Sequence, residues 1–152
     1  MKRRHLLQAA GLGALPIATA VSLFPRNSLA AWPSEAFQSE TLGQAQSMLF
    51  DDLPAEPSEL LSIEAPDIAE NGRVVPIELR VELPNPRSVT LFSRENPFPL
   101  LARAHFSAAV APKVSFRVKL GQSTELIAIA EADGSLFSAT RNVKVTAGGC
   151  GG

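Results

Sequence analysis

The sequence predicts an all-β fold: an immunoglobulin-like antiparallel β-sandwich with a short N-terminal helix. Three observations carry this expectation. From Leu60 onward apolar residues recur with a period of two. Ile77, Leu79, Val81 and Leu83 alternate with Glu78, Arg80 and Glu82, and Val114, Phe116, Val118 and Leu120 alternate with Ser115, Arg117 and Lys119. Such alternation marks a strand with one face in a core and the other in water. Turn chemistry then punctuates the chain at Asn71-Gly72, Pro84-Asn85-Pro86, Asn96-Pro97-Phe98-Pro99, Gly121-Gln122-Ser123 and Asp133-Gly134. Between the turns lie weaker strand candidates at 60–64, 88–93, 100–106, 125–131 and 136–145. About seven short strands so spaced suit a sandwich of immunoglobulin type. With one Cys and one Trp in the chain, the disulfide and core Trp of antibody domains are missing, so only the architecture is implied.

The residues before this domain divide in two. Residues 31–50 carry a short amphipathic pattern: Phe37, Thr41, Ala45 and Met48 follow helical spacing, and Leu42, Ala45 and Leu49 extend the same face. Ser34 or Ser39 is placed to cap the helix, and Gly43 weakens it. Residues 51–59 are acidic, contain Pro54 and Pro57, and are expected to form a connector. Residues 1–30 read as a signal peptide. Lys2-Arg3-Arg4-His5 is a positive start, the stretch from Leu6 to Leu23 is uncharged and mostly apolar, and Ser28-Leu29-Ala30 supplies small residues for cleavage. Arg3-Arg4 before Leu6-Leu7 is the twin-arginine form, with Lys2 where a Ser or Thr is usual. An apolar run of this length would also serve as a membrane anchor; the cleavage site and paired arginines favour export to the periplasm and removal. The expected organisation is therefore a twin-arginine signal peptide (1–30), a helix and acidic connector (31–59), a β-sandwich (60–146) and a C-terminal arm (147–152).

Cleavage after Ala30 leaves 10 Lys and Arg against 15 Asp and Glu, a net charge of −5. A negative surface without basic clusters argues against nucleic acid or anionic lipid as partner. The twin-arginine route carries folded proteins, either because they hold a cofactor or because they travel with a bound partner. Few residues here would hold a cofactor. Beyond residue 30 there is one His, His105, and one Cys, Cys150, too few for a structural zinc site. A Cys-His catalytic pair needs a positioned base, whereas His105 sits between Ala104 and Phe106 on a candidate strand and is expected at its surface. No phosphate-binding glycine loop is present. Asp51, Asp52, Glu56 and Glu59 read as a solvated acidic surface. No cofactor, no metal and no catalytic residue is expected, which shifts the reason for export toward a partner.

The chain ends Ala147-Gly148-Gly149-Cys150-Gly151-Gly152. An odd Cys in an exported protein implies intermolecular pairing or a reactive thiol. Gly148, Gly149, Gly151 and Gly152 remove every neighbouring side chain and leave a flexible strand little wider than a backbone. Six residues beyond Thr146 span on the order of 20 Å when extended, enough to carry a sulfur down a narrow channel. No cation adjoins the thiol, the nearest in sequence being Lys144. With an ordinary pKa near ~8.5 the thiol is only a few per cent ionised at neutral pH. Activation then falls to whatever enzyme it visits, which is the logic of a carrier. A frayed tail does not explain a Cys between glycine pairs, and a prenylation signal needs Cys fourth from the end, not third. Ubiquitin-like carriers that load sulfur on a terminal Gly-Gly need ATP. The remaining rival is a tether, in which Cys150 forms a disulfide with a second subunit.

The segment from Val145 to Gly152, together with the twin-arginine leader, closely resembles the SoxY family, the sulfur-carrier subunits of the periplasmic thiosulfate-oxidising Sox system. Ala65-Pro66-Asp67-Ile68-Ala69-Glu70-Asn71-Gly72, Glu95-Asn96-Pro97-Phe98-Pro99 and Arg141-Asn142-Val143-Lys144-Val145 also resemble that family. The resemblance spans roughly residues 60–152. It implies covalent attachment of thiosulfate-derived sulfur to Cys150 on the arm of Gly148, Gly149, Gly151 and Gly152, and a non-catalytic role. It further implies a heterodimer with SoxZ, a small β-sandwich exported with this chain. A c-type haem enzyme, a manganese-dependent hydrolase and a sulfane dehydrogenase would make transient contacts. None of their cofactors would reside in this chain.

Overall fold

The computed structural model describes residues 33–107 and 112–146. The expected signal peptide and the glycine arm lie outside the described residues. Two helices, α1 (Ser34–Phe37) and α2 (Leu42–Phe50), lead into nine strands. These are β1 (Ala55–Pro57), β2 (Leu61–Glu64), β3 (Ile68–Ala69), β4 (Val75–Val81), β5 (Pro86–Ser93), β6 (Leu100–His105), β7 (Lys113–Val118), β8 (Thr124–Ala132) and β9 (Ser135–Val145). They form an immunoglobulin-like sandwich. The larger sheet runs β1-β9-β8-β5-β6, with β3 also on the edge of β9, and the smaller runs β2-β4-β7. The seven strand segments legible in the sequence all form strands. The two that were not, β1 and β3, pair in parallel with β9, so the sandwich is antiparallel except along that one edge.

The strands of the smaller sheet behave as their alternation demands. In β4, Val75, Ile77, Leu79 and Val81 are buried, while Pro76 and Arg80 are exposed. These side chains meet Leu61 and Ile63 of β2 and, from the larger sheet, Val89, Leu91, Leu126, Ala128 and Val143. Each fully buried aliphatic contributes roughly 1.5–3 kcal/mol of burial. The outer face carries an ion-pair cluster in which Lys113 and Arg80 bond to Glu78 at 3.0 and 2.9 Å. The hydrogen bond from Lys113, and then that from Arg80, hold the Glu78 carboxyl below its ordinary range.

The central strands of the larger sheet, β5 and β8, are buried on both faces, which explains why they looked weak. In β5 every residue from Ser88 to Ser93 is buried, and in β8 so are Leu126 to Ala130. A strand buried on both faces has no wet face to impose a polar–apolar alternation. The outer face of the sheet is covered by the two helices. Ala36, Ala45 and Phe50 pack on Phe92, Leu100, Ile127, Ile129 and Leu136, and the Phe50 and Phe92 rings meet edge-on, 6.4 Å apart. The Arg103 guanidinium lies 5.5 Å from the Phe50 ring centre. Burial, partly opposed by the charge of Glu131, lowers its pKa.

Four local expectations need correction. Neither Ser34 nor Ser39 caps a helix. Thr41 caps α2, its hydroxyl accepting from the Gln44 N–H at 3.3 Å, while Ser39 donates to the Glu35 carbonyl. The extended backbone at Thr41 splits the expected helix in two. Met48 does not join the buried face: it is 56% exposed, because α2 starts only at Leu42 and turns Ala45 and Phe50 to the sheet. Residues 51–59 also contain β1, set on the edge of β9 by the pairs Ala55–Leu136 and Pro57–Ser138.

The helical cover predicts a stability effect. Phe50→Ala should cost about 3–5 kcal/mol, since it opens a cavity between α2 and β5. Met48→Ala should stay within about 0.5 kcal/mol, as a surface change. Urea unfolding of the two variants, followed by far-UV circular dichroism, measures the difference.

Candidate functional site

The site is the end of the sandwich where β9 gives way to residues 147–152. β8 pairs β9 along its length, from Ala132–Ser135 to Thr124–Val143. On the other edge β3 pairs in parallel through Ile68–Lys144 and Ala69–Val145. The last three described amides are all held. Lys144 N–H donates to the Asp67 carbonyl at 2.9 Å, Val145 N–H to Ser123 Oγ at 2.9 Å, and Thr146 N–H to the Ala69 carbonyl at 3.1 Å. Arg141 adds an ion pair to Asp67 at 2.8 Å. That contact is exposed and contributes at most about 1 kcal/mol; the backbone pairing does most of the holding.

Further segments close around this root. Leu120 N–H donates to the Gly72 carbonyl at 2.7 Å. A Cβ on Gly72 would collide with the Leu120 carbonyl oxygen and lie 2.8 Å from Val145 Cγ1, so only glycine lets this turn lie against the end of β9. Asn96 ties the 94–99 loop to the 119–121 turn. Its amide donates to the Lys119 carbonyl at 2.8 Å and its oxygen accepts from Gly121 N–H at 3.1 Å. Thr124 Oγ1, which shares a hydrogen bond with Ser93 Oγ at 3.0 Å, accepts from Glu95 N–H at 3.1 Å. The three stretches that carry the family likeness, 65–72, 95–99 and 141–145, are thus neighbours at one end of the sandwich. Sequence reasoning noticed these stretches but gave them no role. A two-residue strand such as β3 leaves no periodic signal.

The other residues singled out from the sequence fall elsewhere. His105 is exposed and pairs with Ser88, which pairs with Glu131, which pairs with Leu136. That line crosses the larger sheet at the opposite end from Thr146. Asp51 and Asp52 follow α2 in left-handed conformation, and they and Glu56 and Glu59 are exposed. Among the described residues no group of three or more His, Cys, Asp or Glu is placed to hold a metal ion. Cys150, Gly148, Gly149, Gly151 and Gly152 lie outside the described residues. What the described site does chemically is mechanical: it fixes the origin and direction of whatever follows Thr146.

The model of a family described as "Sulfur oxidation protein SoxY" matches residues 46–150. Among solved structures, the sulfur carrier protein SoxY from Chlorobium limicola f. thiosulfatophilum is 32% identical. The match covers 76% of this chain and 100% of that one, with a TM-score of 0.65. A superoxide reductase (neelaredoxin) from Ignicoccus hospitalis is 27% identical, over 58% of this chain and 81% of that one, with a TM-score of 0.52. It is similar in its sandwich. Comparison with curated protein sequences gives no match.

The packing at Gly72 generates a local test. Gly72→Ala should cost about 1–3 kcal/mol of stability through overpacking against Leu120 and Val145. It should also speed amide hydrogen exchange at Lys144 and Thr146 more than at Ala128 in the middle of β8. Uniform acceleration would mean that the turn supports the whole fold and not the root in particular.

Proposed function

The chain belongs to the SoxY family of sulfur oxidation proteins, and on that premise we propose that Cys150 is the atom-bearing site of a covalent sulfur carrier. Its role in sulfur oxidation is that of a carrier and not of an enzyme. The single observation that supports Cys150 is the change of character at Thr146. The last three amides up to that residue are pinned; beyond it the sequence is glycine on both sides of one cysteine. A fixed root followed by a slender chain delivers a sulfur to a defined place outside the domain.

The chemistry begins with thiosulfate. Joining its sulfane sulfur to the Cys150 thiol forms a sulfur–sulfur bond and releases two electrons and a proton, which a c-type haem enzyme accepts. The product is a cysteine S-thiosulfonate. Hydrolysis by a manganese-dependent enzyme adds water across the bond to the sulfonate, releasing sulfate and leaving a persulfide on Cys150. A sulfane dehydrogenase accepts six electrons from the outer sulfur while three water molecules supply its oxygens and seven protons leave, and a second hydrolysis releases sulfate and regenerates the thiol. This chain supplies the sulfur that holds the cargo; the metals and electrons belong to the other proteins. The proposed setting is the periplasm, reached by the twin-arginine route, with SoxZ as the second subunit of a heterodimer. The leader sequence and the compact, folded character of the sandwich support that setting.

Two measurements test this reading. Intact mass spectrometry of the protein from thiosulfate-grown cells should find sulfur adducts on the terminal peptide, and Cys150→Ser should abolish them. Adducts that persist in the variant would refute the carrier, and a reducible covalent dimer without adducts would establish a tether in its place. Light scattering after co-expression with SoxZ should give the mass of a one-to-one complex that survives in reductant. A monomer under those conditions would count against the heterodimer.

A further inference from the structure

Reach limits where Cys150 is able to meet another protein. Residues 147–150 extend at most about 14 Å from Thr146, whereas β9 alone rises roughly 33 Å from Ser135 to Val145. A protein seated at the His105 end cannot receive the sulfur. Any enzyme that takes Cys150 into its active site must lie against the end where β9 finishes.

Two features of that end bear on docking. The first is apolar exposure, which it shares with the region after α2, where Met48 and Leu53 are 56% and 59% exposed. Ile68, Val74 and Phe98 are 57%, 54% and 53% exposed. They sit on three separate segments, β3, the turn before β4 and the 94–99 loop, and all three segments converge on the root of the arm. Phe98 also lines a groove of about 560 Å³ with Leu101, Arg117 and Lys119. The second is charge. Arg73, Arg117, Lys119 and Lys144 are exposed at this end, and none makes an ion pair among the described residues. Arg94 and Arg141 are there too, each paired with a carboxylate. Asp67 and Glu125 are taken up by those two pairs, and Glu64 and Glu78, which line a groove with Arg117, are paired with Arg80 and Lys113. Among the described residues the four cations outside any ion pair therefore face two carboxylates outside any ion pair at this end, Glu70 and Glu95.

We propose that this collar, with Ile68, Val74 and Phe98 as apolar contacts and Arg73, Arg117, Lys119 and Lys144 as free cations, is the landing surface for the enzymes that act on Cys150. The occupant it fits is an enzyme whose channel mouth is rimmed by carboxylates and apolar side chains. The inference rests on the carrier reading above and adds to it a surface and a partner chemistry. Complementary charge steers and orients the encounter, and the acidic remainder of the carrier repels the same acidic mouth, so wrong orientations are disfavoured. The apolar contacts hold the docked complex once water is expelled.

The test uses the full chain with any subunit that co-purifies, charged chemically with tetrathionate. The Cys150 thiolate attacks one central sulfur, a sulfur–sulfur bond forms, and thiosulfate leaves. Loss of the adduct on addition of a periplasmic fraction from thiosulfate-grown cells is read as the mass of the terminal peptide, at several carrier concentrations. The double variant Arg117→Glu/Lys119→Glu should turn over about 10-fold more slowly at low carrier, and the deficit should close at high carrier or in about 0.3 M salt. Ile68→Ser/Phe98→Ser should be slower at low carrier in both salt conditions. Arg87→Glu, at the opposite end, should behave as the unaltered chain, and release of the adduct by dithiothreitol should be the same in all. Unaltered turnover in both collar variants, or equal slowing by Arg87→Glu, overturns the proposal while leaving the carrier reading intact. A change in the mass of the purified particle in the collar variants, with turnover restored per intact complex, would assign this surface to a structural subunit and also overturn it. If the unaltered chain takes up no adduct at Cys150, the carrier reading falls and the collar falls with it.

Discussion

Everything in this molecule is organised around β9. It is the longest strand, it pairs β8 throughout, and its other edge is covered near its start by β1 and at its end by β3. A strand held on both edges has few ways to fray, because opening it breaks ladder hydrogen bonds on two sides at once. Val143, near its end, is almost fully buried beneath the smaller sheet. The result is a rigid rod whose tip is fixed to the domain by Lys144, Val145 and Thr146 within hydrogen-bond distance of their partners. The parallel pairing of β3 looks minor, with two residue pairs, but it fixes the last residues of β9 against the sandwich.

The sandwich was legible in the sequence to the extent that its strands are half-buried. β4 and β7 show their alternation because one face is wet. β5 and β8 do not, because α1 and α2 cover their second face, and periodicity disappears when both faces are apolar. One helix was legible from Ala45 and Leu42, yet neither its division in two nor its cap was: Thr41 fits the helical spacing as well as it fits a cap, and only the extended backbone at that residue separates the two. Cys150 and its glycines stood out in the sequence, and they lie outside the described residues. The end of the sandwich before them did not stand out. The roles of Asp67, Gly72, Asn96 and Ser123 depend on residues distant in sequence, and no spacing rule connects Asn71-Gly72 with Val145. A family likeness over 65–72, 95–99 and 141–145 was visible, and the fold explains that likeness as one contiguous surface.

The distribution of charge follows a similar logic of position. A net charge of −5 beyond residue 30 describes no place on the surface. Most carboxylates belong to the helices, the smaller sheet and the far turns, where several are neutralised by neighbours such as Lys113 and Arg80 beside Glu78. Among the described residues, the exposed cations outside any ion pair, Arg73, Arg117, Lys119 and Lys144, gather near Thr146. Because exposed charges act over about 8 Å in physiological salt, the local sign at the root governs an approaching protein more than the net charge does. An average over the sequence therefore points away from the property that matters at the site.

The plainness of the cysteine itself belongs to the same design. A thiol with a cation or a base beside it would be a better nucleophile, but it would also exchange with any disulfide or persulfide it met, since exchange rate rises with the thiolate fraction. A carrier has to keep its cargo between partners. On the proposed carrier reading, leaving Cys150 among glycines, without an activating neighbour in sequence, suits a thiol that attacks little on its way. The proposal puts activation inside an enzyme whose own groups ionise the thiol or polarise the adduct. That arrangement works only if arrival is well directed, and direction is what the pinned root of β9 supplies. Rigidity up to Thr146 and plainness after it are two halves of one requirement: the domain chooses the place, and the partner does the chemistry.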